Sequence, residues 1–220
     1  MTWITQHTKL IDCRSHGPGS ELLLVEGDSA SRSVARLRNE RCQAVLPMQG
    51  KPMNAAKASE KSVRRNPWYE ALIKALGVGW NAENLDALRY ERVLFLFDPD
   101  ADGIHCGALM LIFFDQYLRP LLDQRRVSLI KAPLFRVSAD GYRDAISVYS
   151  EEHLARLRRH LDDRKISHSH QRYRGLASID AETLQETCID PDSRTAYLLQ
   201  HSDAESARQV FGKPAKRTAR

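Results

Sequence analysis

Three aspartates, Asp98, Asp100 and Asp102, alternate with Pro99 and Ala101 and are closed by Gly103. An extended backbone sends alternate side chains to one side, and carboxylates so placed repel one another unless a cation lies between them. Hard oxygen donors at this density suit Mg²⁺, which needs few protein ligands and keeps waters for phosphate. A calcium loop also begins D-x-D-x-D-G, and a solvated acidic turn could carry the same string. The calcium loop requires a preceding helix and a glutamate at its twelfth position. Here the apolar run RVLFLF precedes the acids and Leu109 stands at that position. Glu26 ends a second apolar run, ELLLV, and is followed by Gly27. A carboxylate among others has a raised pKa, which fits general acid–base work; a helix-capping acid is the plainer alternative. The pairing of strand-Glu-Gly with strand-Asp-x-Asp-x-Asp-Gly in one chain is far more specific than either half.

The elements that position these acids can be read outward from them. Glu21 to Val25 and Arg92 to Phe97 are short apolar runs of the kind that form buried strands. Asp28 or Ser29 is expected to cap a helix through Val34 and Leu37, and Ile104 to Leu118 to form a helix ending near Pro120. Ala44 to Leu46, closed by Pro47, and Val127 to Lys131 are further strands. Pro67 to Leu76 has helical spacing, and Asp140-Gly141 marks a hairpin between Leu134–Val137 and Ala145–Tyr149. Strands alternating with helices predict an α/β fold, a mainly parallel, Rossmann-like sheet flanked by helices. In such sheets ligands sit beyond the carboxyl ends of the strands, where both acidic motifs fall. Beyond Glu151 the character changes to a smaller helical region: a charged helix to Asp162, another at 181–189 and a basic tail from Gly212 to Arg220. The expected division is an N-terminal segment 1–20 that ends in a loop at 15–20, a main domain 21–137, and a region 138–220 of hairpin, helices and tail.

Composition narrows the class. Of 220 residues, 42% are hydrophobic and 28% charged, an ordinary globular balance that argues against wholesale disorder. The net charge of +5 leans mildly toward a polyanionic partner. Cys13, Cys42, Cys106 and Cys188 form no C-x-x-C pair, which disfavours a zinc ribbon and suggests a reducing compartment. The first residues lack the basic and apolar regions of a signal peptide. The longest apolar run, around Ala108 to Phe114, is too short to span a bilayer. A cytoplasmic protein with no membrane partner is expected.

Glu26-Gly27-Asp28-Ser29-Ala30 together with Asp98-x-Asp100-x-Asp102-Gly103 resembles the Toprim signature, and more narrowly that of the B subunits of DNA gyrase and topoisomerase IV. Matches continue in order: Leu46-Pro47 with Gly50-Lys51 and Asn54, Leu88-Arg89-Tyr90, His105, Phe113-Phe114 and Ala132-Pro133-Leu134. Gln171 to Leu176 is similar to Q-R-Y-K-G-L, and Asp190-Pro191-x-Ser193-Arg194 to D-P-E-S-R. The resemblance implies that Glu26 is a general acid–base and a metal ligand. It implies that Asp98 and Asp100 hold two Mg²⁺ ions supported by Asp102, and that Lys51, Arg172 and Arg174 approach DNA. It implies that a gyrase A-type subunit supplies the tyrosine nucleophile. Arg89-Tyr90 is not expected to supply it, because its place before the acidic strand matches the family's B-type chain. The family's ATPase region and a P-loop string are not found, so this chain is not expected to act alone as a topoisomerase or an ATPase.

Several positions depart from the family pattern. Ser31-Arg32 replace two glycines, Gln49 and Gly107 each replace an arginine, Ala177-Ser178 replace glycine and glutamate, and Pro99 stiffens the acidic loop. Three functions therefore stand side by side: part of a DNA cleavage–religation centre, a non-catalytic regulator binding DNA or a gyrase A-type subunit, and a metal-dependent nuclease. His168 and His170 have strand spacing but no third ligand nearby, and a loop is the expected setting.

Overall fold

The computed structural model describes residues 9–212. In chain order its elements are β1 (Gly17–Glu26), α1 (Gly27–Leu37), β2 (Gln43–Met48), α2 (Glu60–Arg64), α3 (Pro67–Leu76), β3 (Tyr90–Leu96), α4 (Ala101–Tyr117) and α5 (Arg119–Asp123). There follow β4 (Val127–Ile130), β5 (Phe135–Ala139), β6 (Ile146–Val148), α6 (Glu151–Asp163), β7 (His168–Arg172), α7 (Ala181–Leu184), β8 (Ala196–Leu198) and α8 (His201–Phe211). The main sheet runs β2-β1-β3-β4-β8. Its first four strands are parallel and β8 is antiparallel at the edge. A second, antiparallel sheet runs β6-β5-β7.

The apolar runs form the central strands because both faces of the sheet are covered. Leu22, Leu24, Val93 and Phe95 belong to one core with Tyr69, Leu72, Phe113 and Phe114. Leu23, Val25, Leu94 and Leu96 belong to the opposite core with Val34, Leu176 and Ile189. Phe95 is fully buried and meets Phe114 edge-on at 5.1 Å; burying such a side chain contributes about 2–3 kcal/mol. On the smaller sheet, Leu154 and Leu161 of α6 pack with Phe135, Val137 and Val148.

The strand order places β1 between β2 and β3, so successive connections leave β1 in opposite directions. The crevice at the carboxyl ends of β1 and β3 is therefore the switch point of the sheet. Val25 is in register with Leu96, which sets Glu26 beside the residues leading to Asp98.

Five local expectations are corrected. Gly17 to Ser20 is the start of β1, not a loop: Gly17 pairs with Tyr90, and a register shift before Glu21 absorbs the Gly-Pro-Gly stretch. Pro47 lies within β2, because β2 is an edge strand on which a missing N–H costs no ladder bond. The first helix begins at Gly27 with Glu26 in the capping position, and the Glu26 side chain makes no capping bond. Pro120 opens the short α5 instead of ending α4, which stops at Tyr117. His168 and His170 lie in β7, paired with Ala139 and Val137 of β5. The helix at 181–189 is present but widens to a π turn at Gln185–Ile189. The basic tail lies outside the described residues from 213 onward.

The C-terminal segment returns to the main sheet. Asp115 of α4, its side chain 2% exposed, receives Arg208 at 2.5 Å and the His201 ring at 2.6 Å. These bonds fasten α8 against α4. His105 stacks on Phe211 at 4.5 Å, and Asn54 donates to the Phe211 carbonyl at 2.7 Å. Arg194 is buried against Glu21 at 2.5 Å. Much of the family-like sequence thus serves to join distant segments.

Candidate metal centre

Glu26 closes β1 and is half-buried. Its Oε2 is buried and has no hydrogen-bond partner among the described residues. Burial raises its pKa first, and the negative charges of Asp98, Asp100 and Asp102 raise it further; a bond from the Cys106 thiol opposes them. Burial and the Glu26 charge push that thiol up to about 12.

Asp98 follows β3 and is held from two directions. Its Oδ1 accepts the Leu176 N–H at 2.8 Å, a contact across 78 positions. A Cβ on Gly175 would lie 2.7 Å from Asp98 Oδ2, and Gly175 has φ +152, so only glycine fits that approach. A Cβ on Gly103 would meet the Asp98 carbonyl at 2.0 Å. Burial raises the Asp98 pKa, the Leu176 N–H lowers it, and Asp100 adds to the rise. Asp100 caps α4 by accepting the Gly103 N–H at 2.9 Å. Asp102, in the first turn of α4, is exposed and pairs with Lys51 at 2.8 Å. Lys51 draws the Asp102 pKa down, and Asp102 raises that of Lys51. Lys51 thus meets the crevice through Asp102.

The other basic candidates lie at the end of β7 and just beyond it. Arg172 is exposed, pairs with Glu151 at 3.2 Å and lies over the Phe135 ring at 5.7 Å. Arg174 is exposed and immediately precedes the glycine that touches Asp98. Its N–H donates to Ser178 Oγ at 2.9 Å, and Ser178 donates to the Gly175 carbonyl at 2.7 Å. Ser178 therefore braces the same turn. Gln49 accepts from Lys9 at 3.0 Å and donates to Asp28 at 3.1 Å, next to the Lys9–Asp28 pair. Ser31 is buried within α1 and Arg32 is exposed.

Two features went unread in the sequence. Cys106 stands four residues after Asp102 on α4, a helical spacing that could have placed its thiol on the crevice side. Asp12, Cys13 and His16 have potential ligand atoms within 4.8 Å of one another, closer than the four crevice acids gather. Their short spacing was the available signal. Geometry alone does not make that cluster a cation site, because Asp12 is already satisfied by Arg89, Tyr90 and His16. Burial would raise the Asp12 pKa, but bonds from Tyr90, His16 and Arg89 bring it below the usual value. The cluster also sits by Tyr90, at the opposite end of β3 from Asp98. Tyr90 is fully buried, its hydroxyl donates to Asp12 at 2.7 Å, and burial raises its pKa well above the usual tyrosine value. It has none of the exposure a nucleophile needs.

The fold and its acids define a doubly wound α/β domain with an acidic crevice at the switch point of the sheet. The family model described as the Toprim domain matches residues 21–131, and the chain belongs to that family. It is 38% identical over 205 residues to the DNA gyrase B protein of Thermotoga maritima, covering 92% of this chain and 32% of that protein. The DNA gyrase B protein of Thermus thermophilus is 34% identical over 211 residues, with 93% and 33% covered. The corresponding protein of Archaeoglobus fulgidus is 34% identical over 205 residues, with 92% and 32% covered. The chain thus spans about a third of the length of the curated relatives it matches. Among the described residues no helix is long and apolar enough to cross a membrane.

Proposed function

We propose that the chain is the Mg²⁺-holding part of a DNA cleavage–religation centre, with a gyrase A-type partner supplying the tyrosine. The observation that carries this reading is the Glu26 Oε2, buried beside three aspartates without a partner. A buried anionic oxygen left unmatched is costly, and a hard divalent cation would satisfy it. Glu26, Asp98 and Asp100 would be the ligands, for two ions as the resemblance implies, with Asp102 in support. Bound Mg²⁺ would stabilise charge on the phosphodiester oxygens.

The chain's own groups supply the rest. Asp98 is oriented by the Leu176 N–H through Oδ1, and among the described residues its Oδ2 accepts no hydrogen bond. Asp100 gives one oxygen to the cap of α4 and keeps the other. The raised pKa of Glu26 lets its carboxyl hold a proton more readily than an ordinary glutamate, as a general acid–base requires. Lys51 balances the cluster through Asp102 and would turn to the DNA backbone. Arg174 and Arg172 would extend that basic track. A non-catalytic regulator that binds DNA or a gyrase A-type subunit is the second reading. It is favoured by Gln49 and Gly107, which remove two positive charges the resembling family carries near the acids.

A supercoiled-plasmid assay with Mg²⁺ or Mn²⁺, with and without the host's A-type subunit, tests this function against a Glu26→Gln control. Cleavage that needs Glu26 and the A-type subunit is expected. Cleavage without that subunit would make the chain a nuclease. No cleavage in any combination would leave the regulator.

A further inference from the structure

The positive charge of the chain is concentrated in one short segment. Lys213, Lys216, Arg217 and Arg220 lie within residues 213–220, which contain no acid. The chain has 33 lysines and arginines and 28 acids; without these four cations, 29 face the 28, so residues 1–212 carry +1 of the net +5. A block of basic residues without acids is a common footprint of contact with a polyanion. The segment itself lies outside the described residues, but the point from which it departs does not.

Phe211, at the end of α8, stacks on His105 of α4 at 4.5 Å, and its carbonyl accepts from Asn54 at 2.7 Å. The Gly212 N–H donates to the Arg208 carbonyl at 2.7 Å. His105 stands one helical turn after Asp102, and Asn54 stands three residues after Lys51, which pairs with Asp102 at 2.8 Å. The departure point is thus clamped between the two stretches that carry the exposed rim of the acidic crevice. Residues 213–220, fully extended, span at most about 28 Å, enough to follow a duplex whose backbone meets that rim. The crevice acids are poor partners for the segment. Asp102 is the exposed one of the four and is already paired with Lys51, whereas Glu26, Asp98 and Asp100 are half-buried. A duplex offers about one negative charge per 1.7 Å of its axis. We propose that residues 213–220 bind the backbone of duplex DNA beside the crevice, on the side of Lys51. This rests on the action on DNA proposed above and adds a contact to it.

Fluorescence anisotropy with a short labelled duplex, in EDTA and across a range of salt, tests this on three proteins. They are the full chain, a chain stopped after Gly212, and the full chain carrying Lys213→Gln, Lys216→Gln, Arg217→Gln and Arg220→Gln together. Each phosphate contact contributes about 0.9 to the slope of log affinity against log salt, so both altered chains should lose about three to four units of slope. At low salt both should bind about tenfold more weakly or worse. The glutamine variant keeps the chain length, so a loss shared by both is a loss of charge. An unchanged slope in either altered chain would overturn the proposal and leave the cleavage-centre reading to its own plasmid assay. No binding by any of the three would overturn the proposal together with the DNA reading. Calorimetry with Mg²⁺ covers the rival partner: tighter Mg²⁺ binding by the chain stopped after Gly212, with its DNA slope unchanged, would pair the segment with the crevice acids and overturn the proposal.

Discussion

Replacing Glu26 by glutamine should make the metal-free protein more stable and the Mg²⁺-bound protein relatively less so. In the wild type, Oε2 is buried without a partner among three aspartates. An unmatched buried acceptor costs about 1–3 kcal/mol, and more when charged. The neutral amide removes that charge, so a gain of about 1–2 kcal/mol is expected in EDTA at neutral pH. For a chain of this size that raises Tm by roughly 2–8 °C. With Mg²⁺ at about 100 times its Kd, binding should stabilise the wild type by about 2.7 kcal/mol, and the variant, without the proposed ligand carboxylate, should gain much less. The pH dependence has a definite sign. A raised carboxyl pKa means that the folded state holds its proton more tightly than the unfolded state, so stability falls as pH rises through that interval. The advantage of the variant should be absent below the usual glutamate value of 4.5 and complete above the raised value. Calorimetric scans of both proteins across pH, with EDTA and with Mg²⁺, measure all three effects. A variant no more stable than wild type in EDTA, or one stabilised equally by Mg²⁺, would refute the assignment of Glu26 as an uncompensated ligand.

Gly175→Ala should cost about 1–3 kcal/mol, because its φ lies where side chains are strained. Its Cβ would also push Asp98, so calorimetric Mg²⁺ affinity should fall together with Tm. Asp115→Asn should cost about 2 kcal/mol in urea unfolding. It weakens charge-assisted bonds from Arg208 and His201, whose side chains are a third exposed and can turn to water. Arg174→Ala should leave Tm unchanged and reduce the salt dependence of DNA binding by about one unit of slope, measured by fluorescence anisotropy.

The acids were legible because their strands are buried on both faces. Leu22 to Val25 and Val93 to Leu96 alternate between two cores, so both runs are apolar without a break, and each ends at a carboxylate. β7 carried no such mark: His168 to Arg172 contains no aliphatic residue, and its strand conformation comes from pairing with β5. Gly17 to Ser20 read as a loop because turn residues also build bulges. The expectation for Pro47 failed for a topological reason, since only the strand order makes β2 an edge. The Arg194–Glu21 and Arg208–Asp115 pairs join segments too distant in sequence for spacing to reveal.

The bond from Leu176 to Asp98 bears on how much of the chain the acidic crevice needs. Every carboxylate of the crevice lies within residues 21–131, the stretch the family model covers. The N–H that aims Asp98, and the glycine that lets it approach, belong to the turn after β7. A fragment cut at residue 131 would therefore keep the full set of acids and lose the alignment of one of them. The small sheet and the large one are thus coupled at Asp98, and a displacement of either against the other would reshape the crevice without changing a single residue in it.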